Sequence, residues 1–368
     1  MNRVTQKSEQ GFYFPLLHIL VFALVLRVIG ILLTLQVSGA SFAEYLDIHD
    51  GRDYIAFARA LDSGSLKDAR QWVVVRFPGF PFAVYVFGLI LGKAWGMAAL
   101  VLNIGGALLA IFFFDRIFRN RKATLYFSIF TPSWFLFSSI NATEGFFLFL
   151  NLLGLYLIWN KNKHALGYLV LGLSALVRPF GVFVIAALII WGLVRKKKSE
   201  YFIYALISGL PMLCWLCFCR IYYGSFFHNV SQYSDIWEHR MLGLPFKALL
   251  VNSIRNPRIL KLCLVWGTVI FSIMATVFSG RYLLKNPVSE KWGVVFLWQF
   301  FSCMFYFSLS SSNPFISLDR YILTALPAQL ISVSGIFPKR RFFFFVAAVL
   351  TLFIFLYWNR NHFIRLAA

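Results

Sequence analysis

Charge is scarce in this chain, and negative charge is scarcest. Only 13% of its 368 residues are charged, with 14 Asp+Glu against 35 Lys+Arg. A soluble globular domain carries about 25% charged and about 45–50% apolar residues, whereas here 60% are hydrophobic and 19% aromatic. Those departures exclude a soluble enzyme, a secreted module and a disordered tail. Cysteine is also sparse. Cys214, Cys217, Cys219, Cys263 and Cys303 all fall inside apolar runs, where small residues serve packing, so they say nothing about redox compartment. The nearest approach to a phosphate-cradling loop, Gly92-Lys93, lies in an apolar segment and lacks the spacing. There is no His-Glu-x-x-His and no pair of Cys-x-x-Cys motifs. Neither a 20–50-residue repeat nor a matched pair of interrupted helices of the transporter kind is visible.

What the chain has in abundance is apolar runs. About 20 such residues cross about 30 Å of hydrocarbon, and we read runs at 12–37, 79–114, 123–140, 143–159, 165–194, 201–219, 258–280, 292–309, 319–336 and 342–357. The first is too long for a secretory signal core, so it is expected to remain as an anchor. Basic residues collect between the runs. Arg116, Arg119, Arg121 and Lys122 form one loop, Arg195 to Lys198 a second, and Lys339 to Arg341 a third. Lys161 with Lys163, and Arg281 with Lys285 and Lys291, mark two smaller ones. The positive-inside rule places them, with Arg3 and Lys7, on the cytoplasmic side. The formal +21, which on a soluble domain would point to nucleic acid, is here a membrane address.

Parity then constrains the spans. Residues 165–194 have basic loops at both ends, so they go in and return. Arg178-Pro179-Phe180-Gly181 at their midpoint is where a helix stops, because proline lacks the N–H and clashes with the preceding turn. Each half is short, about 20 Å, so the hairpin is expected to be shallow or sheltered by neighbours. Residues 79–114 cross an odd number of times, as one crossing preceded by a helix that dips or lies flat. Gly88, Gly92 and Gly96, spaced by four, suit close helix packing there. Arg27, deep in the first span, must face the bundle interior and find a partner. The expected fold is all-α: a single polytopic membrane domain over 1–368 of about ten or eleven membrane segments. It has a first outer loop at 38–78 and a second at 220–257.

With this topology, ten of the 14 acids fall outside: Glu44, Asp47, Asp50, Asp53, Asp62, Asp68, Glu144, Asp235, Glu238 and Asp319. The outer face is therefore where chemistry is expected. In the first outer loop, Asp50-Gly51-Arg52-Asp53-Tyr54 opens an amphipathic stretch with Tyr54, Phe57, Ala58 and Leu61 at helical spacing. Two readings of Asp50 stand side by side. It can cap that helix, with Asp53 imitating a capping box, or it can take a proton from a sugar hydroxyl as a general base. For Arg178 and Arg320 the plain reading is snorkelling to headgroups. Arg76 reads as a headgroup contact. Glu144 reads as a helix cap or a pocket residue, and His49 as an exposed loop residue or a support for Asp50. Asn229-Val230-Ser231 and Asn141-Ala142-Thr143 match the glycosylation pattern.

The loop ends in Arg76-Phe77-Pro78-Gly79-Phe80-Pro81, leading into the next run. An Asp-Gly-x-x-Tyr stretch, some 20 residues, then Phe-Pro-Gly-Phe-Pro resembles the polytopic glycosyltransferases of the C-type superfamily. It is most similar to the second mannosyltransferase of glycosylphosphatidylinositol assembly and its prokaryotic relatives. Where that family has Trp-Asp, this chain has His49-Asp50. Thr131-Pro132-Ser133 with Asn141 to Glu144 resembles the family's Pro then Ser-Glu helix pair. Ala175 to Gly181 resembles its Arg-x-x-Gly turn, and Asp319-Arg320-Tyr321 its late Arg-Tyr. The resemblance is good over residues 1–195 and thin beyond.

The resemblance implies transfer of a hexose, mannose first among candidates, from a polyprenyl-phosphate donor to a lipid-linked or glycolipid acceptor, with inversion. It implies Asp50 as general base with Asp47 in reserve, and substrate binding by His49, Asp53, Glu144, Arg178 and Arg320. In that reading the two arginines grip the lipid phosphate with a planar fork, and Arg76 is a weaker candidate for that contact. No cofactor is expected, with a divalent cation left open. The partners are the lipid donor, the lipid acceptor and membrane lipids. A bacterial inner membrane is favoured over the endoplasmic reticulum. A transporter or flippase of a lipid-linked sugar is the alternative class, and a non-catalytic membrane subunit a third.

Overall fold

The computed structural model describes residues 14–68, 73, 75–129, 132–196, 199–228, 231–232, 243–255, 259–309, 320–336 and 341–367. Arg3, Lys7, Thr131, Lys197, Lys198, Asn229, Asp235, Glu238, Arg240, Asp319, Lys339 and Arg340 lie outside the described residues. The chain is all-helical. In order, the helices are α1 (Leu16–Ser38), α2 (Phe42–Leu46), α3 (Gly51–Ser63), α4 (Gly79–Ile90), α5 (Trp95–Phe118) and α6 (Arg121–Ile129). Then come α7 (Pro132–Phe137), α8 (Glu144–Lys161), α9 (His164–Val177), α10 (Val182–Trp191) and α11 (Glu200–Tyr223). The last are α12 (Lys247–Arg255), α13 (Ile259–Lys285), α14 (Glu290–Phe307), α15 (Leu326–Val333) and α16 (Arg341–Ala367).

Among the described residues four helices are long and apolar enough to cross a membrane: α1, α5, α11 and the Val265–Lys285 part of α13. Their outward faces are apolar. Leu17 and Leu32 on α1, and Phe202, Leu206 and Ile221 on α11, are exposed, an arrangement suited to lipid rather than water. The expectation of ten or eleven segments counts shorter and broken helices as well. Residues 123–140, read as one span, divide into α6 and α7. Pro132 stands at the first position of α7, where its missing N–H costs nothing to the new helix. Residues 319–336 are likewise broken, into a 3-10 turn at Ile322–Ala325 and the short α15.

The 79–114 run divides into α4, 12 residues, and α5, 24 residues. At 1.5 Å per residue α4 is about 18 Å long, too short to cross alone. The Gly88-Gly92-Gly96 spacing does not form one stripe. Gly92 has φ +63 in the turn between the helices. A Cβ at Gly88 would lie 2.1 Å from the Trp95 ring, and one at Gly96 2.9 Å from Leu46. Gly88 and Gly92 serve a tight α4–α5 corner, and Gly96 lets Leu46 of α2 and Ile55 of α3 approach α5.

Two ends of the bundle are distinct. At one, α5, α8 and α14 are tied together: Asn160 donates to the Arg116 carbonyl, Lys291 to the Ile117 carbonyl at 3.2 Å, and Trp159 to Glu290 at 3.1 Å. These are the segments that carry the basic loops. Helix α8 runs from there back to Glu144, 18 residues and about 27 Å away. At that opposite end the outer-loop helices α2 and α3 pack. The apolar face of α3 buries Tyr54, Ile55, Phe57 and Ala58, with the Tyr54 ring edge-on to Phe80 of α4 at 5.1 Å.

Candidate functional site

The site forms where four chain segments reach the end of the bundle away from the basic loops. Each leaves regular helix for a local reason. Asp50 is at the start of α3. There, a Cβ on Gly51 would lie 2.5 Å from the Leu46 carbonyl and 2.8 Å from Asn141, so only glycine permits the approach. Arg178 ends α9. It precedes Pro179, which disfavours helical backbone, and it sits extended at φ −145 and ψ 129. Glu144 opens α8 after the irregular segment 138–143. That segment is held by buried polar side chains. Asn103 donates to the Phe137 and Ile140 carbonyls at 2.7 and 2.8 Å and accepts from Gly145 N–H at 2.8 Å. Asn141 donates to the Leu46 carbonyl at 2.7 Å, and Tyr45 to the Ser139 carbonyl at 2.9 Å. Irregular backbone at this depth is tolerated because protein groups satisfy it. Arg320 is the fourth segment's contribution, 270 residues from Asp50.

These segments assemble an alternating row of three acids and three arginines. Arg76 donates Nε to Asp53 at 3.1 Å, and Nη2 to Asp53 at 2.5 Å and to Asp50 at 2.9 Å. Arg320 donates Nη1 to the other oxygen of Asp50 at 2.5 Å. Its Nε bonds Glu144 Oε1, and its Nη2 reaches Oε2 at 3.4 Å. Arg178 donates Nη1 to Glu144 Oε1 and, at 3.3 Å, to the Thr143 hydroxyl. Burial deepens along the row, from side chains 24% and 21% exposed at Arg76 and Asp53 to 8% and 1% at Arg178 and Glu144. Each guanidinium also faces a ring: Arg76 over Tyr54 at 5.6 Å, Arg178 over Phe180 at 5.6 Å, Arg320 over Phe137 at 4.7 Å.

The two readings of Asp50 can now be separated. Asp50 occupies the N-cap position of α3 but makes no side-chain cap hydrogen bond; both its oxygens are turned to arginines. The capping box in this loop belongs to Ser41 and Glu44 on α2. Burial pushes the Asp50 carboxyl upward, but the Arg320 and Arg76 guanidiniums outweigh it and hold the group well below the usual carboxylate range. Asp53 is shifted the other way, because burial outweighs its bonds to Arg76.

The structure brings Asp50, Asp53, Glu144, Arg178 and Arg320 together. His49, at φ +53, is adjacent, its ring edge-on to Phe137 at 5.9 Å. Asp47 is not drawn in; it sits exposed at the C-terminal cap of α2. Arg76, read as a headgroup contact, is instead the bridge between Asp50 and Asp53. Its signal in the sequence was a lone arginine against Phe-Pro at the end of an acidic loop. Asn103 was also missed, though an asparagine inside an apolar run is itself a signal. No group of three His, Cys, Asp or Glu suited to a metal ion occurs among the described residues.

The bundle also holds an apolar cavity of about 470 Å³, which none of the six row residues lines. Phe57, Pro78, Gly79, Phe146, Val177 and Trp215 are among its walls. Four of these are close chain neighbours of site residues: Pro78 and Gly79 follow Arg76, Phe146 follows Glu144, and Val177 precedes Arg178.

Among solved structures the fold is similar to that of ArnT from Cupriavidus metallidurans, determined bound to undecaprenyl phosphate, with a TM-score of 0.54. The two are 16% identical, and the likeness covers 86% of this chain and 59% of that one. This chain thus spans less than two thirds of that protein's length. No protein-family model and no curated protein matches the chain. At this identity the likeness is one of fold: an ArnT-like, all-helical integral membrane architecture.

Proposed function

We propose that this protein is a polyprenyl-phosphate-dependent glycosyltransferase of the C-type kind. It moves a hexose, with mannose first among candidates, from the lipid donor to a lipid-linked or glycolipid acceptor on the outer face of a bacterial inner membrane. The observation that carries this reading is the row itself: a carboxylate, Asp50, is bonded directly to Arg320, which with Arg178 can hold a phosphate. The sequence resemblance supports it, as does the likeness to a fold whose solved member binds undecaprenyl phosphate. The apolar cavity walled by Val177 and Phe146, chain neighbours of Arg178 and Glu144, suits the lipid portion of such a substrate.

The chemistry follows from the geometry. The acceptor hydroxyl oxygen attacks the anomeric carbon, its proton passing to Asp50, which the arginines keep ionised. The bond from that carbon to the phosphate oxygen breaks, and its electron pair leaves with the lipid phosphate. Attack opposite the leaving group inverts the anomeric centre. Arg178 and Arg320 offset the charge that grows on the phosphate, most effectively where water is scarce. The test is transfer of label from a polyprenyl-phosphate-sugar to lipid acceptor in membranes bearing the protein. Asp50→Asn is expected to abolish it, and undiminished transfer by that variant would falsify the assignment of the base.

A further inference from the structure

Glu144 makes contacts that resemble those of a bound phosphate. It is 1% exposed. One of its oxygens accepts from two different guanidiniums, those of Arg178 and Arg320. The other accepts from the Thr143 backbone N–H at 3.0 Å, at the N-terminus of the 18-residue helix α8, and from Arg320 Nη2 at 3.4 Å. Two arginine forks and an amide at a helix end are the donors that a phosphate attracts.

Arg178, meanwhile, is only partly used. Its Nη1 serves Glu144 and Thr143, while its Nε and Nη2 make no hydrogen bond among the described residues. A cation held largely within protein, with donors to spare, is poised for a further partner. It calls for an anion, and the nearest one present is a carboxylate belonging to the protein.

We propose that Glu144 is a stand-in for the donor's phosphate, holding Arg178 and Arg320 in gripping geometry until the phosphate competes it away from them. This rests on the reading of the donor as a polyprenyl phosphate. It makes Glu144 a positioning residue that acts through the arginines. It also couples the two halves of the reaction. Arg320 holds Glu144 and Asp50 at once, so a phosphate that recruits Arg320 loosens its hold on Asp50. One oxygen of the proton acceptor, Asp50 Oδ2, is then freed when the donor is in place, while Oδ1 stays on Arg76. With no donor bound Oδ2 stays tied, which protects against idle turnover.

The experiment compares wild type with Glu144→Gln, Glu144→Asp and Glu144→Gln/Arg178→Gln in nanodiscs, with polyprenyl phosphate as probe and polyprenol and inorganic phosphate as controls. Removing an ionised competitor is expected to tighten polyprenyl phosphate binding by about tenfold in Glu144→Gln. Turnover should fall in the same variant, because its arginines are no longer held in place between cycles. Glu144→Asp, which keeps the charge, should stay near wild-type affinity, and the double variant should lose the gain. Polyprenol should not respond to any of these changes. Binding of inorganic phosphate that tightens in parallel would locate the gain in the arginine forks; tightening confined to the lipid would place it in the tail cavity and overturn the proposal.

If Glu144→Gln does not fold, the wild type still gives an answer. Polyprenyl phosphate should shift the carboxylate stretching band in an infrared difference spectrum, and an unmoved band sinks the idea. Affinity unchanged or weakened in a folded Glu144→Gln also overturns the role of Glu144, leaving the donor reading intact. Failure of the wild type to bind polyprenyl phosphate at all overturns the donor reading itself.

Discussion

Two buried arginine sites in this molecule solve the same problem in different ways. Arg27, in the middle of α1, is fully buried and has no carboxylate partner among the described residues. It donates Nε and Nη2 to the Ser138 hydroxyl at 3.1 and 2.7 Å and Nη1 to the Ala23 carbonyl at 2.9 Å, between the rings of Trp134 and Phe135. All three of its nitrogens are engaged by neutral groups, Nη1 also reaching the Ser128 carbonyl at 3.5 Å. At the outer end, by contrast, Arg178 and Arg320 are held by carboxylates that an incoming anion can rival, and Arg178 has donors to spare. The closed site fastens the 138–143 segment that leads into Glu144. The open one has the features of a binding site. A buried charge in a membrane protein thus marks function only when its partners can be exchanged.

The sharpest way to break this contrast is at the proton acceptor. Asp50→Asn keeps the shape of the side chain but removes the proton affinity and turns an NH2 donor toward one of the two arginines that Asp50 accepts from. Transfer is expected to fall by about 10²–10⁴-fold, with the protein still extracting as a folded species by size exclusion. A comparable loss in Arg27→Ala with normal thermal unfolding would erase the distinction between the two sites.

Next in size is the phosphate grip. Arg178→Gln should raise the KM for the lipid donor by about tenfold or more, as loss of a charged hydrogen bond to a buried group implies. It should leave the KM for the acceptor nearly unchanged. Steady-state kinetics with donor and acceptor varied in turn measures this. An equal rise in both constants would mean that Arg178 merely supports the bundle.

Arg27→Ala should show the reverse pattern. It opens a cavity between Trp134 and Phe135 and strips Ser138 of its donor, a loss of about 2–4 kcal/mol. Thermal unfolding in detergent should report that loss, while the donor KM of the surviving folded fraction stays at the wild-type value.

How much of this was legible in the sequence divides along the same line. Asp50, Arg178 and Arg320 stood out because an acid beside a glycine, an arginine before a proline and an arginine at a run's end are local signals. The break after Val177 was likewise written in Pro179. The pairing was not legible, since Asp50 meets Arg320 across 270 residues, and no local pattern encodes such a meeting. Arg76 misled because an arginine near a helix end ordinarily snorkels; only the fold turns it inward to two carboxylates. The 123–140 run also misled. Its hydropathy is continuous, yet Pro132 starts a new helix within it, and hydropathy averages over such a break.

The smallest effect expected is also the one with the clearest sign. Asp50 and Asp53 share Arg76, yet their carboxyls shift in opposite directions. Asp50 is held low, so its ionised form favours the fold. That contribution is complete above the unfolded value of about 3.9 and is lost only as pH falls below it. Asp53 is held high by burial, so its ionised form opposes the fold slightly above its folded value, and the cost fades as pH falls and the group takes a proton. Asp53→Asn should therefore unfold slightly later than wild type at about pH 8, with the difference closing as pH falls toward the unfolded value of about 3.9. Asp50→Asn should unfold earlier across that whole range. Thermal unfolding of both variants over a pH series checks the pair. If Asp53→Asn is as destabilising as Asp50→Asn at about pH 8, the outer end of the row is a structural clamp like Arg27, and the exchangeable part of the site shrinks to Asp50, Arg320, Glu144 and Arg178.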